Sequence, residues 1–124
     1  MKTNAINFGL LLFRVGVSGA MLTHGYGKLL KVLAGDFSFG DPIGIGPTAS
    51  LILCTLAEFI APLLLIVGWK TRWFALLASI NMLVAFIIAH DGDAFAKKEK
   101  AFLYLIAFIL IYFAGAGKYS VDKH

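Results

Sequence analysis

The chain has 124 residues, of which 60% are hydrophobic and only 15% charged, with a formal net charge of +4 and a mean hydropathy of +0.85. A soluble domain of this size exposes much of its surface and typically carries about 25% charged residues. The balance therefore excludes an ordinary soluble enzyme and a disordered chain, and points to one small integral membrane domain. The cations are dispersed, which excludes a nucleic-acid-binding patch. A single cysteine, Cys54, excludes an internal disulfide, a CxxC pair and a cysteine-rich metal centre.

Four apolar stretches follow in chain order, at about residues 5–23, 49–68, 73–89 and 101–117. A transmembrane helix takes about 20 apolar residues, range ~17–25, to cross ~30 Å of hydrocarbon. None of the stretches alternates as a barrel strand would. The pattern predicts an all-α fold, a four-transmembrane-helix antiparallel bundle with a Gly/Pro-rich loop between helices 1 and 2, as one domain over residues 1–124.

The first stretch carries one charge, Arg14, whose central position argues against a cleaved signal peptide. On an ideal helix Asn7, Arg14, Ser18, Met21 and Gly25 fall within about 40° of one line, a stripe expected to face inward. Residues 24–48 then hold six glycines and two prolines, a density that breaks helices. Phe37, Phe39, Ile43 and Ile45 make this connection too apolar for disorder, so the 40–47 segment is expected to fold back over one end of the bundle. The second stretch carries Glu58 alone. Residues 69–72 read as a tight turn, and residues 97–100 as a charged start to the last helix. Trp69, Trp73 and Tyr119, at span ends, read as interfacial anchors.

Four spans place both termini on one side, with the 69–72 turn. Lys and Arg outside the spans number five on that side (Lys2, Lys70, Arg72, Lys118, Lys123) and five on the other (Lys28, Lys31, Lys97, Lys98, Lys100), a tie under the positive-inside rule. The terminal side has one acid against five, which favours cytoplasmic termini for a multi-pass protein of the cell membrane.

Arg14 and Glu58 have opposite sign and lie near the middle of their stretches. A charge at the bilayer centre costs about 2.5–3.5 kcal/mol on insertion scales, so each should face inward and find a partner. The two are expected to pair, with Asn81 at similar depth able to join them. Such a pair either fixes helix register only or takes part in proton, quinone or substrate chemistry. His24 and His90 end the first and third stretches at one membrane level, where a pair of histidines could bind a metal or haem, shuttle a proton to a quinone, contact a head group or simply cap helix ends. With Lys28 and Asp41 they form the expected mouth of the bundle. Neither histidine has metal-ligand spacing, and no metal is assigned. Gly25-Tyr26-Gly27-Lys28 lacks P-loop spacing, and Gly44-Ile45-Gly46 follows no strand. Cys54 reads as a small core residue. The candidates are Arg14, Glu58, His24 and His90 for catalysis and Lys28, Asp41 and Asn81 for substrate binding.

Several fragments also share their order and spacing with a known family. They are Arg14, His24-Gly25-Tyr26-Gly27-Lys28-Leu29, Gly40-Asp41-Pro42-Ile43-Gly44-Ile45-Gly46-Pro47, Ala57-Glu58-Phe59, Gly68-Trp69-Lys70-Thr71-Arg72, a stretch from Met82 to His90, and Gly117-Lys118-Tyr119-Ser120-Val121-Asp122. From about Arg14 to Asp122 the chain resembles the DoxX family of small bacterial and archaeal membrane proteins. The resemblance implies a four-helix membrane architecture. One branch of the family is associated with thiosulfate:quinone oxidoreductase, and other members with oxidative-stress assemblies. It therefore implies a membrane subunit of a redox system, with quinone as the candidate cofactor and Lys28 drawing in an anionic substrate. The candidate partners are the lipid bilayer, a redox partner subunit and a second copy of the chain. The alternative is a non-catalytic membrane scaffold or assembly factor whose charges only hold the helices. A small transporter is disfavoured by the absence of an inverted repeat.

Overall fold

The computed structural model describes residues 2–39, 44–89, 92 and 94–123. Every regular element among them is helical: α1 (Lys2–Leu33), α2 (Pro47–Thr55), α3 (Ala61–Val67), α4 (Thr71–Val84) and α5 (Phe95–Ala114). A π-helical turn, Leu56–Ile60, joins α2 to α3, and a second, Ala85–Ala89, extends α4. Three of the resulting rods are long and apolar enough to cross a membrane: Thr3–Leu33, Pro47–Val67 and Thr71–Ile88. The fourth expected span differs. Its helix starts earlier, at Phe95, and includes the charged residues 97–100. Its uncharged part, residues 101–114, rises about 21 Å.

The first helix departs furthest from expectation. It was expected to end at residue 23, yet it continues to Leu33 and rises about 48 Å. Gly25 and Gly27 do not break it. Gly25 is buried, and a Cβ there would overlap the Glu58 carbonyl of the facing rod. Its role is close backbone approach, as small residues allow between membrane helices. The glycine that ends α1 is Gly35, at φ 74°. Asp36 N–H reaches the Lys31 carbonyl and Gly35 N–H that of Val32, the paired bonds of a Schellman motif. In the loop beyond, residues 40–43 lie outside the described residues. Ile45, which was expected to fold back over the helices, is 45% exposed.

The second rod is continuous but not uniform. Pro62 has no N–H, and its ring crowds the carbonyl four residues earlier, that of Glu58. The chain answers with a wider turn in which Ala61 N–H bonds the Leu56 carbonyl five residues back. Glu58 therefore sits on a π turn, a feature that recurs at functional sites.

At one end, the α3–α4 turn and the two ends of the chain come together. Gly68, at φ 74°, closes α3 with a second Schellman pair to Leu64 and Leu65. The segment after α5 lies along it: Val121 N–H bonds the Val67 carbonyl and Asp122 N–H that of Gly68. The Asp122 carboxylate accepts Lys70 N–H and Thr71 N–H at 2.9 and 2.8 Å, capping α4 from fifty residues away in sequence. Asn7 of α1 accepts Lys118 N–H at this same end. Trp69, Trp73 and Tyr119 are exposed there. Between the rods, small and large apolar residues interdigitate: Ala75, Ala78 and Met82 of α4 against Ala101, Leu105 and Phe108 of α5, with Met21 and Leu65. Outward side chains are also apolar, with Phe113 74% and Trp73 71% exposed, a surface suited to lipid.

Candidate functional site

Arg14 and Glu58 do not meet. The expected pairing is overturned, because each side chain bonds other partners, and the buried Arg14 Nε has none. Arg14 is 2% exposed. Its guanidinium donates to the carbonyls of Ala116, Tyr119 (2.8 Å) and Ile66 (3.3 Å). These lie in the last turn of α3 and in the tail after α5, where helix-end carbonyls have no intrahelical partner. Arg14 is thus a clasp for the tail, and its positive charge lies where helix dipoles present their negative ends. The physical reason for the mismatch is the length of α1. Arg14 and Lys28 are fourteen residues apart, about 21 Å along the axis, and Glu58 lies at the level of Lys28.

Glu58 is instead held by two neighbours. Its Oε1 accepts Lys28 Nζ at 2.8 Å and its Oε2 accepts Asn81 Nδ2 at 2.9 Å. Asn81 joins Glu58 as expected, though without Arg14. The Glu58 side chain is 9% exposed and that of Lys28 24%, so the pair stands at the edge of a cavity and not in a sealed core. The stripe expected to face inward on α1 has Arg14, Ser18, Met21 and Gly25 buried and Asn7 half-buried. Its continuation one turn on carries His24 and Lys28 to the same cavity.

This cavity has a volume of about 270 Å³ and lies between α1, α4 and α5. Met21, Met82, Ala85 and Ala101 make its apolar surface, while His24, Lys28, Glu58, Lys100 and Tyr104 are its polar groups. The His24 and Tyr104 rings meet edge to face at 5.8 Å. Size, an apolar floor and a few convergent polar groups are the features of a small-molecule site. Behind it, on the far side of Asn81, lies a smaller apolar cavity of about 120 Å³ that includes Cys54, Leu53 and Ile80.

Of the candidates, His24, Lys28, Glu58 and Asn81 come together, and Arg14 stands apart. Asp41 and His90 lie outside the described residues. Lys100 and Tyr104 were not singled out in sequence, although they stand one turn apart on one face of α5, as do Glu58 and Pro62 on the second rod. Among the described residues, no three His, Cys, Asp or Glu side chains converge on a metal position.

Comparison with known proteins finds a matching family model and a relative. The family model described as DoxX matches residues 9–91, which contain Arg14, His24, Lys28, Glu58 and Asn81. A protein of Haemophilus influenzae, named only as uncharacterized, is 29% identical over 125 residues, covering 92% of this chain and 88% of the relative. No solved structure matches the chain.

Proposed function

This chain belongs to the DoxX family of membrane proteins, and we propose that it is a multi-pass membrane subunit of a redox system whose Glu58 cavity receives a quinone ring. In this reading the four rods cross the cell membrane as an antiparallel bundle, with α5 as the fourth span. The termini face the cytoplasm and the cavity opens toward the other face.

One observation carries the reading: His24, Lys28, Glu58 and Tyr104 converge on a ring-sized cavity floored by Met21 and Met82. A quinone offers two carbonyl acceptors on a flat apolar ring, so it needs donors at the wall and apolar surface at its faces. Converting it to the quinol takes two electrons and two protons. The electrons come from a partner subunit, of the thiosulfate-linked or oxidative-stress-linked kind that the family resemblance suggests. This chain's residues hold the ring and handle the protons. Lys28 and Tyr104 donate to ring oxygens, and His24 relays protons from the wet end of the cavity. Asn81 fixes the Glu58 carboxylate so that its charge stays aimed at Lys28.

The test is a titration of purified protein with a benzoquinone lacking a tail, followed by tryptophan fluorescence or calorimetry. Saturable binding that weakens about tenfold in Lys28→Met supports the reading, since loss of one hydrogen bond is worth ~0.5–1.5 kcal/mol. Absence of saturable binding contradicts it. The Arg14 clasp favours a second reading, that of a scaffold or assembly factor whose buried polar groups only hold the fold. Under that reading no quinone binds, and a partner protein's abundance falls when the chain is deleted.

A further inference from the structure

We propose that the gap between α1 and α5 is a lateral portal through which the hydrocarbon tail of the cavity's ligand leaves the protein into lipid, with Lys100 and Tyr104 at its threshold. This rests on the reading that the cavity holds a quinone ring, and extends it to the ligand's tail and its route of entry.

Beside the cavity lies a second hollow of about 380 Å³, with Gly16, Val17 and Ala20 on α1 and Leu103 and Ala107 on α5. Lys100 and Tyr104 border both hollows, so the two adjoin there, with the His24–Tyr104 ring contact at their boundary. Gly16, Ala20 and Leu103 are exposed on its outer side. The hollow is apolar throughout except at the shared threshold. It descends along α5 from Lys100 to Ala107, about 10 Å, away from the Lys28 end and toward the middle of the helices. A polar ring seated against His24 and Lys28 would therefore point its tail down a groove that opens sideways. Small residues make the groove: a Cβ at Gly16 would meet nothing within 4 Å. The apolar cavity behind Asn81 offers no such exit, since Glu58 and Asn81 are bonded across the way.

Lipid is as apolar as the groove, so its walls add little attraction for a tail. Their effect is steric. A tailed ligand seats its ring only if the tail has a way out, whereas a bare ring enters from the open end. Gly16→Leu tests this, because it fills the groove from open space and replaces glycine in a helix by a better helix former.

The measurement is binding of two probes to purified protein, a decyl-substituted benzoquinone and the same ring without a tail. In Gly16→Leu the affinity for the decyl probe is expected to fall about tenfold or more while that for the bare ring is retained. A decyl affinity unchanged from the wild type, or an equal loss for both probes, overturns the portal and leaves the cavity reading standing. Failure of the wild type to bind the bare ring overturns both. Photolabelling of the wild type needs no variant. A diazirine at the end of the decyl chain is expected to mark peptides containing residues 16–20 or 103–107. Labelling of α2 or α4 near Leu53 and Ile80 instead places the tail on the other side of Asn81 and contradicts the portal.

Discussion

Gly25 and Gly16 lie on the same helix and meet opposite surroundings. A methyl group at Gly25 would overlap the Glu58 carbonyl, whereas one at Gly16 meets open space. Gly25→Ala is therefore expected to destabilise the protein by about 1–3 kcal/mol, the usual cost of overpacking. Gly16→Ala is expected to stabilise it by about 0.5–1 kcal/mol, the helix penalty of glycine. Thermal unfolding in detergent checks both, and equal effects would contradict the close approach of α1 to the second rod. Arg14 makes an equally specific demand. Its fork reaches three carbonyls, and lysine, a single point charge, does not reproduce that geometry. Arg14→Lys is expected to lower the melting temperature and to free the tail, seen as faster proteolysis after Gly115. Wild-type-like stability would mean that the clasp contributes nothing.

The helical nature of the chain was legible because apolar runs of this length have few alternatives in lipid. What could not be read was where helices end and turn. Gly25 and Gly35 look alike in sequence, and only the facing Glu58 backbone distinguishes a contact glycine from a terminator. Pro62 was the overlooked signal. Four residues after Glu58 it forbids the regular bond to that carbonyl, and the π turn follows. Pro62→Ala restores the missing N–H and is expected to let the rod relax toward α-helix, turning Glu58 away from Lys28. The fold should be kept and quinone binding weakened. If binding is unchanged, the π turn is not what aims Glu58. The cap on α4 is likewise invisible locally, since it comes from Asp122. Asp122→Ala is expected to cost about 0.5–2 kcal/mol, as loss of a helix cap does.

At the scale of the molecule the two intramembrane charges belong to different ends. Arg14 ties the tail to the α3–α4 turn, and Glu58 organises the cavity with Lys28 and Asn81. Sequence showed both charges and most of the cavity's α1 wall. It could not show their separation, because the true length of α1 hid about 21 Å of helix between Arg14 and Lys28. A double-mutant cycle should reflect this. Lys28→Met and Glu58→Gln are expected to couple by about 0.5–3 kcal/mol, whereas Arg14→Lys and Glu58→Gln should add within about 0.5 kcal/mol. The central claim, that chemistry resides at the Glu58 end and the Arg14 end only holds the fold, is tested most directly by quinone reduction in membranes, measured per folded molecule in His24→Ala and Arg14→Lys. His24→Ala is expected to lose about tenfold at unchanged abundance, the equivalent of one hydrogen bond. Arg14→Lys is expected to lower abundance at unchanged activity per molecule. An undiminished rate in His24→Ala, or a loss confined to Arg14→Lys, would contradict this division between the two ends.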